Sequence, residues 1–319
     1  MREVPVFLFV GFMDSGKTTF INATLHDPEF TRGGKAKTLL VCCEEGELEY
    51  DLEEMDRIGV SVVMIENEED LNGEYLTSLQ KQYKPEQIII EFNGTWDVER
   101  LIAQDVPKSW VVVQIIATAD ASIFDMYLNN NDMKNMIMSQ ISRADDVFFN
   151  RCNKDTDMKR FGTTVKAMNR RAQILFEFDD EQLLPYKQEL NIDLDQPVIE
   201  ISDVDYGNWY IDAMENPMKY DGKVVSFLGL VYNPRRMQKD LFGVGRMSMV
   251  CCAEDTRFFG LACNWPDDPK KKPAHESWIT IKARMHAKFV ESEQEYTIVL
   301  EPLRILPAKE PEDGMIYFN

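Results

Sequence analysis

A run of small, basic and hydroxyl residues near the N-terminus carries the clearest chemistry in the chain: Gly11–Phe12–Met13–Asp14–Ser15–Gly16–Lys17–Thr18–Thr19. The spacing G-x-x-x-x-G-K-T suits a polyphosphate. Gly11 and Gly16 let backbone N–H groups face the phosphates, Lys17 reaches the outer oxygens, and the Thr18 hydroxyl can hold magnesium. Asp14, Ser15 and Thr19 complete the loop. Further on, Ile88–Ile89–Ile90–Glu91 closes a β-branched run with a carboxylate, and Gly94 follows three residues later. A strand-end acid beside a phosphate loop is placed to serve magnesium, and a glycine N–H there can approach a γ-phosphate. We therefore read Lys17, Glu91 and Gly94 as catalytic and the loop as a nucleoside-triphosphate site. An ordinary turn after a buried strand is the simpler reading of Glu91–Gly94 taken alone; the upstream loop favours the functional one.

These residues need elements to position them. Val6–Val10 is an apolar strand feeding the loop, and the residues from Thr19 start a helix whose N-terminal dipole favours an anion. Strands at Lys37–Cys42, Ser61–Ile65, Gln87–Ile90, Val111–Thr118 and Asp146–Phe149 alternate with helices at Glu47–Ile58, Asp70–Tyr83 and Met133–Arg143. That alternation predicts a doubly wound, mostly parallel α/β sheet with its chemistry at the strands' C-terminal ends. The pattern fades after Phe178. Past about Asp203 come short segments punctuated by Gly and Pro: Lys223–Val231, Arg246–Cys252, Phe258–Cys263, Trp278–Ala283 and Tyr296–Ile305, with a short helix at Tyr210–Glu215 before them. They predict a small β domain, a barrel of the OB kind or a sandwich. The expected organisation is a nucleotide-binding domain over residues 1–185, a linker over 186–202 and the β domain over 203–319.

Composition narrows the partners. Against 35 Lys and Arg stand 55 Asp and Glu in 319 residues, a balance that disfavours nucleic acid and anionic membranes. No apolar run reaches the ~18 residues of a membrane span, and Met1–Pro5 leads straight into a core strand, so a cytoplasmic, non-inserted protein is expected. The six cysteines do not form a disulfide-like framework. Cys251 and Cys252, with Asp255, Cys263 and His275 downstream, could supply ligands for a zinc-like ion, although packed thiols in a β core are the simpler reading.

The G-F-x-x-S-G-K-T-T loop, the Glu45–Gly46–Glu47 segment after the second strand, the Glu91-x-x-Gly94 pair and the Ala144–Asp145 lead-in to a later strand together resemble the CobW/HypB/UreG family of GTPases over roughly the first 180 residues. The resemblance implies GTP as substrate, Mg²⁺ as cofactor, Glu45 near the magnesium, Asp120 as a strand-end acid and Asn150 to Asn153 as the base-recognition motif. It also implies delivery of a metal ion to a client metalloprotein. Two departures stand out. Where the family carries a Cys-x-Cys-Cys metal motif, Ile65–Leu71 has no cysteine, and Cys42–Cys43, adjacent on a strand, are awkward as joint ligands. Where the family has Asn-Lys-x-Asp, the chain reads Asn150–Arg151–Cys152–Asn153. An amide at Asn153 offers guanine one acceptor and one donor where a carboxylate offers two acceptors. Asn153–Lys154–Asp155 restores the acid only if the loop bulges, so ATP stays open beside GTP.

Tyr220–Val224, Gly229–Tyr232, Arg246–Asp255 and Gly260–Leu261 look like the C-terminal domain of the YcgQ-like family, which is associated with membrane permease partners. No arginine finger is legible, so slow hydrolysis completed by a partner or a homodimer contact is expected. Two rivals remain: a nucleotide-gated scaffold with negligible turnover, and a metallochaperone with its site moved to Cys251 and Cys252.

Overall fold

The computed structural model describes residues 3–44, 50–102, 106–178, 182–187, 190, 192–234, 237–249, 256–265, 271–292 and 294–316. The chain divides into two compact units, Met1–Met158 with Arg171–Tyr186, and Lys159–Arg170 with Lys187–Asn319.

In the first unit the elements run β1 (Val4–Val10), α1 (Lys17–His26), β2 (Thr38–Cys42), α2 (Leu52–Arg57), β3 (Val60–Met64), α3 (Gly73–Tyr83), β4 (Gln87–Glu91), α4 (Val98–Ile102), β5 (Trp110–Asp120), α5 (Phe124–Asn129), α6 (Asn131–Ile141) and β6 (Asp146–Cys152). After α7 (Met158–Met168), most of which clusters with the second unit, β7 (Gln173–Phe178) and β8 (Leu183–Pro185) return to the first. Among the described residues the sheet has eight strands in the order β3-β2-β4-β1-β5-β6-β7-β8, parallel except for the β7–β8 pair. The parallel strands read as apolar runs because both faces are covered. Every residue of β2 and β4 is buried.

Caps set helix starts that periodicity places a few residues off. Asp51 accepts from the N–H groups of Glu53 and Glu54 at 3.0 and 3.1 Å, so α2 begins at Leu52 rather than Glu47. Asn72 accepts from Tyr75 N at 3.0 Å, which starts α3 at Gly73 rather than Asp70, and Asn130 does the same for α6. Each such cap stabilises its helix by about 1 kcal/mol. α1 turns Ile21 and Leu25 onto the sheet, where they join Phe9, Leu40 and Ile89 in one cluster. Burying each of these side chains contributes about 1.5–3 kcal/mol.

The second unit holds β9 (Ile199–Ile201), α8 (Tyr206–Glu215), α9 (Pro217–Tyr220), β10 (Val224–Tyr232), β11 (Leu241–Met249), β12 (Thr256–Asn264), β13 (Trp278–Val290), β14 (Glu295–Pro307) and β15 (Met315–Ile316). β9 falls inside the stretch read as a linker, and it pairs in parallel with β10. The sheet order is β15-β11-β12-β14-β13-β10-β9, and β10 also pairs with β11, so five strands close on themselves. Gly245 marks one close passage, since a Cβ there would lie 2.2 Å from Phe259 O and 2.3 Å from Gly260 Cα. Tyr206 and Trp209 of α8 fill the core with Phe227, Phe242, Ile281 and Leu300. The guanidinium of Arg246, fully buried, pairs with Asp203 and lies 5.2 Å from the Trp278 ring.

Candidate nucleotide site

Strand register gathers the chemistry. Because β1 lies between β4 and β5, the C-terminal ends of β1, β2, β4, β5 and β6 converge: Phe9 and Cys42 are both registered on Glu91, Val10 on Ala117, and Asp120 on Asn150. This is where an open parallel sheet places its ligand crevice.

The loop after β1 is shaped by what touches it. Gly11 has φ +144°, and a Cβ there would meet Thr118 O at 2.5 Å. Gly16 adopts φ +91°, and a Cβ would strike Asn150 Nδ2 at 2.2 Å. Any other residue at these two positions would be strained and would clash. Ser15 Oγ and Thr118 Oγ1 share a hydrogen bond of 2.7 Å, and the Phe12 ring packs against Tyr127 with centroids 4.7 Å apart. Asp14 sits at φ +58°.

Lys17, 2 % exposed, directs its ammonium back into the loop. It donates to Gly11 O and Phe12 O at 2.8 Å each and pairs with Glu44 Oε2 at 2.6 Å. Glu44, also buried, accepts from Gly94 N through its other oxygen at 3.5 Å. A carboxylate thus lies between the lysine and the glycine N–H, the two groups read as γ-phosphate contacts. Gly94 in turn lies on the loop, where a Cβ would come within 2.4 Å of Gly11 O and 2.7 Å of Phe12 Cα. Gln140 of α6 donates to Gly94 O at 2.7 Å, and Asn93 donates to Cys43 O at 3.1 Å.

Glu91 is 1 % exposed. It accepts from Thr18 Oγ1 at 2.5 Å and from Tyr50 Oη at 2.7 Å, with Cys42 Sγ 3.2 Å away. A threonine hydroxyl beside a strand-end carboxylate is a hard-oxygen pair that fits Mg²⁺. Magnesium bound there would neutralise phosphate charge; Thr18 and Glu91 are the residues that would hold it. Burial pushes the Cys42 thiol up to about 12 and the Cys43 and Tyr50 groups higher still, with the negative charge of Glu91 adding to the effect. Burial favours the protonated form of all three at neutral pH, and Cys42 and Cys43 lie packed in the core.

Toward the other end, Asn150 donates to Ser15 O at 2.7 Å. Arg151, held at φ +52°, donates to Asp14 O at 2.9 Å and pairs with Asp120. Asp120 also accepts from Ser122 N and Oγ at 2.8 and 2.6 Å. A cavity of about 640 Å³ opens beside Gly16, Thr19, Asn150 and Arg151 and runs on to Glu177 and Phe178. Asn153 is not part of its lining: Asn153 is exposed and its Oδ1 accepts from Asp155 N at 2.8 Å.

The structure therefore brings together Gly11, Asp14, Ser15, Gly16, Lys17, Thr18, Thr19, Glu91, Gly94 and Asn150, and leaves Asn153 apart. Glu45, expected near magnesium, lies outside the described residues, as do Cys251 and Cys252. Cys263 is fully buried with its thiol pushed up to about 12, and His275 Nδ1 accepts from Asn233 N at 3.2 Å. Among the described residues no group of three His, Cys, Asp or Glu side chains could hold a metal ion. Sequence reasoning missed Glu44, one residue before the expected switch acid, and it missed Tyr50, Thr118 and Glu177.

Residues 5–176 match the model of the CobW/HypB/UreG nucleotide-binding domain. The chain belongs to the CobW/HypB/UreG family. In this family member residues 178–318 match a second model, the DUF1980 C-terminal domain, which spans the segments that carry the YcgQ-like resemblance. Similar solved structures include hydrogenase maturation factor HypB from Archaeoglobus fulgidus, 15 % identical over 55 % of this chain and 81 % of that one, TM-score 0.38. Another is the Zn(II)-bound YjiA GTPase from E. coli, 16 % identical over 88 % of this chain and 94 % of that one, TM-score 0.42. No curated protein matches the chain. No helix among the described residues is long and apolar enough to cross a membrane.

Proposed function

We propose that this CobW/HypB/UreG member is a magnesium-dependent GTPase whose nucleotide state governs engagement of a partner or a metal cargo by its β-rich unit. The observation that carries the reading is the Lys17–Glu44–Gly94 arrangement. A lysine ammonium and a glycine N–H converge on an anion at the mouth of the phosphate loop, with the Thr18–Glu91 pair alongside. Lys17 would stabilise charge on the outer phosphate, Thr18 and Glu91 would hold magnesium, and Gly94 N–H would register the γ-phosphate. Glu44 must give way when that phosphate arrives, and it directly precedes Glu45–Gly46–Glu47, the segment that the family resemblance gives as a switch. The closed order β10-β11-β12-β14-β13 supports an OB-type barrel as the partner-engaging unit.

Single-turnover hydrolysis with the full chain tests the proposal. Magnesium-dependent release of phosphate from GTP that falls at least about 100-fold in Glu91→Gln supports it. GTP bound tightly with no release would instead favour a nucleotide-gated scaffold, a reading that gains from the same Glu44 contact because phosphate occupancy alone would free the switch.

A further inference from the structure

The base end of the cavity carries an inference that rests on the nucleotide reading above and deepens it. Between the register pairs Phe149↔Phe176 and Cys152↔Phe178 the ladder shifts, so that two residues of β6, Asn150 and Arg151, stand opposite a single residue of β7, Glu177. Arg151 lies within the shift at a positive φ. By strand alternation Glu177 shares a face with Phe148 and Asn150, and all three line the cavity together with Phe178. Asn150 is already committed to the phosphate loop through Ser15 O, and Arg151 is committed to Asp14 O and Asp120. The Glu177 carboxylate, by contrast, is half-buried and meets no hydrogen-bond or ion-pair partner among the described residues. Asp27, the other acid of the lining, is exposed and caps its own turn through Glu29 N at 2.8 Å.

We infer that Glu177, not Asn153, reads the base, and that the base is guanine. Guanine presents N1–H and an N2 amino group side by side, two donors that a carboxylate accepts together. Adenine turns a lone pair at N1 toward the same carboxylate. Xanthine replaces the amino group with a carbonyl, which a carboxylate repels and a side-chain amide favours. Phe178 and Phe148 supply aromatic surface for the purine ring. The shift in the ladder brings an acid from the next strand to a task that Asn153, turned into its own loop, does not perform.

The two residues make opposite forecasts, so titration of the full chain with ribose-labelled fluorescent GTP, ATP and xanthosine triphosphate, each with magnesium, separates them. With Glu177 as reader, the unaltered protein prefers GTP over both others by about 10- to 100-fold, the span of one good bidentate contact. Glu177→Gln then loses that preference and gains affinity for xanthosine triphosphate, which also shows that the variant is folded and its phosphate loop intact. Asn153→Ala keeps the GTP preference. Preference for xanthosine triphosphate in the unaltered protein, or a GTP preference that survives Glu177→Gln and disappears in Asn153→Ala, overturns the inference while leaving nucleotide binding in place. Failure of all three nucleotides to bind the unaltered protein overturns the inference and the proposed function together.

Discussion

Lys17 uses all three of its N–H donors inside the protein, two on loop carbonyls and one on Glu44. A phosphate oxygen can therefore gain the ammonium only by displacing one of these three acceptors, of which the Glu44 carboxylate is the competing anion. Two expectations follow at this scale. Lys17→Ala should weaken GTP binding at least about 100-fold in a fluorescence titration, because the loop loses its fixed cation. Glu44→Gln should tighten GTP binding about five- to tenfold, since the competing anion is gone; unchanged or weaker binding would mean that Glu44 serves the nucleotide instead of excluding it. Cys42 gives a pH test. Its thiol is raised from 9.0 to about 12, so its protonated state favours the fold. That contribution is intact below about pH 9 and fades between about pH 9 and 12. Cys42 should accordingly resist iodoacetamide at pH 8 in the native protein, as read by mass spectrometry, and react after unfolding. Lys17, Thr18, Glu91 and Gly94 were legible because phosphate chemistry demands those residue types at those spacings. Glu44 and Glu177 were not, because their roles arise only when strands distant in sequence lie side by side.

Among the elements, the strand-end turn at Gly94 is the tightest coupling between β4 and the phosphate loop. Gly94→Ala would set a Cβ 2.4 Å from Gly11 O, and backbone cannot yield there as a flexible side chain would. We expect loss of GTP binding and destabilisation of about 1–3 kcal/mol in urea unfolding. Retained affinity would show that the loop can shift aside. The β-branched strands were legible from their apolar runs, and α2, α3 and α6 from their periodicity, whereas the short α4 and α5 and the later α7 were not read. Helix starts were not, because Asp51, Asn72 and Asn130 fix them through single side-chain caps that periodicity does not register. β7 escaped notice because Glu177 cuts its apolar run to Ile174–Phe176, and Glu177 is the proposed base reader.

For the whole molecule, each unit has its own sheet and its own core. The break in character near Phe178 announced two units. The choice between a closed barrel and a sandwich was not legible, because closure depends on the pairings β10–β11 and β12–β14, which no local pattern specifies. Gly245→Ala, in the crowded passage against Phe259 O, should lower the thermal transition of the β-rich unit in calorimetry and leave GTP affinity unchanged; a loss of affinity would contradict a site contained in the first unit. The most direct test of the account is a titration of the full chain with fluorescent GTP, with and without magnesium, on the unaltered protein and on Lys17→Ala. Saturable, magnesium-dependent binding that disappears in the variant is the predicted result. Binding that is absent in the unaltered protein, or that survives loss of Lys17, would contradict it.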